Sequence, residues 1–226
     1  MTRASQYLLD RFKKAVYCFV LVGFTVANAG SYDDFFRAVM LDDDVATKSL
    51  LQRGFDPNTL NPAGIPGLLL AVREPAPKVA RLLINWPGTL IEARNPADES
   101  ALMLAALAGD LAMCQLLIQK DADVNKTGWT PLHYAATNGH VPVIALLLEE
   151  HAYIDAESPN KTTPLMMAAR YGSAVAVKAL LDAGADPLLK NSQGLSALDF
   201  ALAVGREDSA ELIRAQVRAQ KPKGSW

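Results

Sequence analysis

The sequence predicts an all-α solenoid of six helix–turn–helix repeats joined by β-hairpin finger loops, and three observations carry that expectation. A short motif recurs in register along the chain. A second apolar half-motif follows each copy at a fixed distance. Small or turn-forming residues punctuate both halves. No single helix pair of this size can bury its own apolar face, so the pairs must stack and share one core.

The clearest copies are Thr130-Pro131-Leu132-His133-Tyr134-Ala135-Ala136 with Gly139, and Thr163-Pro164-Leu165-Met166-Met167-Ala168-Ala169 with Gly172. A degraded copy begins at Ser196-Ala197-Leu198 and another at Ser100-Ala101-Leu102, and weaker ones centre on Leu68 and Phe35. The anchor positions 35, 68, 102, 132, 165 and 198 are spaced by 33, 34, 30, 33 and 33 residues. Each is followed by a leucine-rich half such as Leu116-Leu117-Ile118, Leu146-Leu147-Leu148 or Leu180-Leu181.

Each element has a physical reason. The hydroxyl of Thr130 caps the first helix, and Pro131 suits the first helical position, where its missing N–H costs nothing. Ala135 and Ala136 allow neighbouring helices to approach. Gly139 and Gly172 are expected to end the first helices in the left-handed conformation. His151 stands where other repeats carry Gly54 or Gly184, and should adopt a left-handed backbone that it tolerates less well than glycine. The 30-residue spacing shortens the finger around residues 125–128 by three residues and predicts a notch in the row of finger tips. Thr47 and Ser49 in the first repeat, and Ser209 and Arg214 in the last, replace apolar residues of the inner repeats. They predict polar outer faces on two capping repeats. The expected repeats are 31–63, 64–97, 98–127, 128–160, 161–193 and 194–217, followed by a flexible tail at 218–226.

The start of the chain reads differently. Arg3, Arg11, Lys13 and Lys14 precede an uncharged run at 15–26 that closes on Ala27-Asn28-Ala29. A basic start, a short apolar middle and a small-x-small end describe a secretory signal peptide, with cleavage expected after Ala29 and export to the periplasm. The run is short of the roughly 20 residues of a spanning helix. Cys18 follows Tyr17, where a lipidation signal wants a small residue. Beyond this segment the only cysteine is Cys114, so no internal disulfide is expected there, and its helical register makes it core filling.

The motif resembles the ankyrin repeat from about residue 33 to 215. That resemblance implies a non-catalytic protein-binding module, and it assigns His133 and His140 to hydrogen bonds that tie loops together. It also extends to small exported bacterial ankyrin proteins, some associated with oxidative-stress enzymes such as catalase; a periplasmic scaffold or adaptor is therefore expected. The alternative is a secreted effector or a toxin-neutralising immunity protein. No catalytic residue, metal site or cofactor is expected. The three histidines lack partner ligands at suitable spacing, and Asp42-Asp43-Asp44 lacks the glycine and distal glutamate of a calcium loop and reads as helix capping. A formal net charge of −2 without a basic block speaks against nucleic acid as the main ligand. A monomer binding one protein partner is expected, with no membrane contact after cleavage.

Stacks of this kind bind through finger tips and the face of the first helices. Register there predicts an outward column of Leu70, Leu104, Tyr134, Met167 and Phe200, bordered by finger residues Ile65, Trp129 and Leu195 and by Arg170 and Tyr171. Contiguous apolar surface of that kind marks a binding site, and these ten residues are the expected partner-binding set.

Overall fold

The structure, a computed structural model, describes residues 30–220. The expected signal peptide lies outside the described residues. Residues 30–40 form helix α1. There follow α2 (Asp44–Gln52), α3 (Gly67–Arg73), α4 (Pro77–Ile84), α5 (Ala101–Ala108), α6 (Leu111–Ile118), α7 (Pro131–Asn138), α8 (Val141–Glu149), α9 (Pro164–Arg170), α10 (Ala174–Asp182), α11 (Ala197–Leu202) and α12 (Glu207–Gln220). These are six helix pairs. The last helix runs to Gln220, so residues 218–220 continue it rather than begin a tail; 221–226 lie outside the described residues.

Two rows of helices share one core. In the first row α3, α5, α7, α9 and α11 pack in succession. In the second, α2 packs on α4, and α6, α8, α10 and α12 follow one another. The anchors Phe35, Leu68, Leu102, Leu132 and Leu165 are all fully buried, as are Leu83, Leu117, Leu147 and Leu180 of the second row. Replacing any of these leucines by alanine would remove about 2–5 kcal/mol of stability. Cys114 is buried among them, and burial pushes its thiol up to about 12, so it is filling rather than a reactive group.

Local chemistry explains where the first-row helices begin. Ser100, Thr130, Thr163 and Ser196 each accept the N–H three residues on, and the residue at that third position reaches back to the cap's own N–H. This reciprocal box satisfies two helix-end donors at once. The aspartate run also caps, on two helices. Asp43 Oδ1 accepts from the Ala46 N–H at 2.9 Å. Asp42 Oδ1 accepts from the Lys78 and Val79 N–H groups, both at 2.9 Å, at the start of α4, whose own cap Ala76 has no side-chain acceptor.

Helix ends correct one expectation. Gly139 is left-handed with φ 70°, and His151 adopts φ 64° as its position predicts. Gly172 has no positive φ. It is glycine because an added Cβ would lie 2.4 Å from the Ala136 carbonyl oxygen of the neighbouring repeat. Close packing, not backbone sign, fixes that residue.

The fingers are not β-hairpins. Among the described residues there is one isolated antiparallel bridge, Leu60 with Pro66, and no strand. The donors a ladder would use bond to a side chain instead. Asn61 Oδ1 takes the N–H groups of Ala63 and Ile65, Asn95 those of Ala97 and Glu99, and Asn191 those of Gln193 and Leu195. Ser158 Oγ takes that of Thr162. Such local bonds compete with a sheet ladder and here displace it.

The expected polar caps hold at Ser49, which is exposed, and at Arg214, which is half-buried, but not at the other two positions. Thr47 and Ser209 are fully buried, whereas Leu41 and Val45 at the first end are 71% and 75% exposed. Thr47 sits inside at little cost because its hydroxyl donates to the Asp43 carbonyl at 2.8 Å.

Candidate functional site

The first-helix row and the fingers ahead of it bring part of the expected set together. Trp129, Tyr134 and Met167, with Leu107 and Thr137, line one open groove of about 230 Å³. Its walls come from α5, α7, α9 and the short finger, so it spans three repeats. Leu107 and Thr137 follow the same outward register but lie outside the ten expected contacts. Each lies three residues beyond its column member, Leu104 or Tyr134, and so on the same helix face. That register signal was present in the sequence.

Three expected residues do not reach the surface. Ile65, Leu70 and Leu104 are 9%, 4% and 7% exposed and belong to the core. Of the column, Leu70 and Leu104 are thus covered, while the larger Tyr134, Met167 and Phe200 are half exposed. Leu195 and Tyr171 are exposed but stand outside the groove. Tyr171 belongs instead to a second cluster. The Arg170 guanidinium lies 5.3 Å from the Tyr171 ring centre and 5.8 Å from that of Phe200, within the range of cation–π attraction.

The groove is held from behind. The Tyr134 hydroxyl donates to Glu99 Oε1 at 2.8 Å, and Glu99 Oε2 accepts from Asn95 Nδ2 at 2.6 Å. Burial, reinforced by the Glu99 carboxylate, raises the Tyr134 pKa, so the phenol stays a donor and its ring a fixed wall. The Trp129 ring meets the His133 ring edge-on at 5.2 Å.

His133 is the hinge of this wall. Its Nδ1 accepts from the Thr130 N–H at 3.2 Å, and its Nε2 lies 2.8 Å from the Thr162 carbonyl oxygen in the next finger. An accepting Nδ1 leaves the proton on Nε2, which donates to that carbonyl. Burial lowers the His133 pKa to about 4, so the ring is neutral at ordinary pH. His140 reaches the other way, with Nε2 at 2.9 Å from the Leu107 carbonyl oxygen of the preceding repeat. Both histidines tie loops between repeats.

Family models of ankyrin repeats match this stack over residues 68–160 (three copies) and 153–201 (many copies). The chain belongs to the ankyrin-repeat family. Among curated relatives, the NF-kappa-B p105 subunit of Gallus gallus is 34% identical over 165 residues, covering 70% of this chain and 17% of that protein. The ankyrin repeat and SAM domain-containing protein 6 of Mus musculus is 41% identical over 92 residues, covering 40% and 10% respectively. The ankyrin chain thus spans a small part of the length of these relatives. Among solved structures, it superposes on a chain from the complex of a predatory endopeptidase with an immunity protein of Bdellovibrio bacteriovorus. That match has TM-score 0.71 and 25% identity, and covers 80% of this chain and 97% of the other. An ankyrin repeat domain from Acinetobacter baumannii matches with TM-score 0.70 and 25% identity, over 81% and 97%. As an ankyrin-repeat protein the chain is a protein–protein interaction module.

Proposed function

We propose that this ankyrin stack seats a protein partner in the groove between Trp129, Tyr134 and Met167, and that it does so to neutralise an exported enzyme in the manner of an immunity protein. The structural likeness to a chain of the endopeptidase–immunity complex, over 97% of that chain, is the observation that supports the neutralising role. The apolar, three-repeat groove supports the location. Large aromatic side chains in a half-buried site of this kind dominate binding energy at protein interfaces. The periplasm is the proposed place of action, on the strength of the basic, apolar and small-residue sequence of residues 1–29. A monomer is the proposed working form.

The test is affinity purification of the tagged protein from its native host, run beside the double variant Trp129→Ala/Tyr134→Ala. The expected result is an exported hydrolase that the wild type retains and inhibits and the variant releases, with both proteins melting cooperatively. Capture of a catalase or another stress-defence enzyme without inhibition would favour a scaffold role instead. A folded variant that keeps every partner would move the site elsewhere.

A further inference from the structure

Five lysines and arginines among the described residues are buried or half-buried: Arg94, Lys126, Arg170, Arg206 and Arg214. Four of them are engaged. Arg94 pairs with Glu92, Lys126 with Asp98 and Arg214 with Glu207, and Arg206 donates to the Gly172 and Tyr171 carbonyls. Arg170 alone has neither ion pair nor hydrogen bond, and its Nε is covered without an acceptor. Its position is nonetheless fixed, because the guanidinium lies over the Tyr171 and Phe200 rings. The acids Asp98, Glu99 and Asp199 have partners of their own. Both oxygens of Glu99 accept hydrogen bonds, Asp98 holds Lys126, and Asp199 caps α11 through Ser196. A pre-positioned cation with no acid of its own stands beside an apolar groove.

We propose that the groove receives an extended peptide segment of the partner, with one large apolar side chain between Trp129, Tyr134 and Met167 and a carboxylate about three residues away that pairs with Arg170. The inference rests on the reading of the groove as the docking site. The spacing comes from geometry. Arg170 lies one helical step beyond Met167 on α9, one helix over from Thr137 on α7. Packed helices stand about 10 Å apart, and an extended chain advances about 3.3 Å per residue. A carboxylate matches the planar fork of a guanidinium and supplies the missing acceptor.

Selection of a random dodecapeptide phage library on the full-length protein tests this directly. Recovered peptides should carry Phe, Trp, Leu or Met with Asp or Glu two to four residues away. For the synthetic form of one such peptide, fluorescence anisotropy should show about tenfold weaker binding to Arg170→Gln. Replacing the peptide's acid by its amide should cost the same, and combining the two changes should cost no more. Arg170→Lys should retain part of the affinity, and circular dichroism melts should show both variants folded. Recovery of peptides without acids, or unchanged affinity in Arg170→Gln while Trp129→Ala abolishes binding, overturns the pairing and leaves the groove standing. Binding indifferent to both residues removes the groove as well, and failure to recover any peptide overturns the extended segment.

Discussion

The fingers ahead of α3, α5, α9 and α11 turn around a side-chain oxygen, that of Asn61, Asn95, Ser158 or Asn191. The finger ahead of α7 is three residues shorter and has no such residue. In its place the buried Lys126 ammonium reaches out to Asp98, on the tip of the preceding finger, and to the Thr127 carbonyl. The repeat it introduces also differs at the third helical position, where His133 stands in place of Met103 or Met166. Each long finger closes on a side chain of its own, whereas the short one draws on Asp98 of its neighbour. Trp129, at the end of that short finger, forms one wall of the groove.

Four changes would break or sharpen that contrast. The largest effect belongs to His133. Its folded pKa of about 4 lies below the ordinary histidine value of 6.5, so the unfolded chain takes up the proton first. The stabilisation is fully present above about pH 6.5 and falls by up to about 3 kcal/mol as pH drops to about 4. His133→Met copies the flanking repeats, and denaturant titrations should show a shallower loss of stability between those pH values than in the wild type. Next is Asn191→Ala in a long finger. It removes the acceptor of two N–H groups in a turn where Asn191 itself is buried and residues 192–195 are exposed, and should cost about 1 kcal/mol, read as a lower urea midpoint at pH 7. Lys126→Met in the short finger should lower the midpoint less than that, and its cost should shrink as salt rises, because Asp98 is open to solvent. Smallest in stability is the insertion of three residues after Lys126. Lengthening a loop should cost about 0.5 kcal/mol or less. If the notch makes the groove, the same insertion should abolish partner capture in the purification assay; unimpaired capture would detach the groove from the finger length.

The repeat itself was legible because stacked helices demand the same residues at the same step: Leu68, Leu102, Leu132 and Leu165 could be placed in the core from spacing alone. The left-handed turn at His151 and the capping by Asp43 were legible for a similar reason, since both are decided within a few residues of chain. What the sequence concealed depends on partners far along it. Asp42 caps a helix that begins 35 residues later, and Gly172 answers to a carbonyl of another repeat. The outward column was half legible. Periodicity gave the face on which Leu70, Leu104, Tyr134 and Met167 lie, but whether a side chain is covered depends on its length and on the neighbours above it. Thr47 misled in the same way, because a hydroxyl that bonds locally can occupy an apolar position; nothing in the structure explains the buried Ser209.

Four polar side chains hold the backbone of the repeat that follows their own. Asn58 bonds Gly88 and Leu90, Glu92 accepts from Asp123, Asn125 bonds His151 and Tyr153, and Asp155 accepts from Asp186. Each clasp reaches one unit along and no further. A molecule pulled by its two ends would therefore give way link by link. Its force–extension trace would be a sawtooth of modest peaks, and on slackening it would rewind from whatever length of stack was still closed.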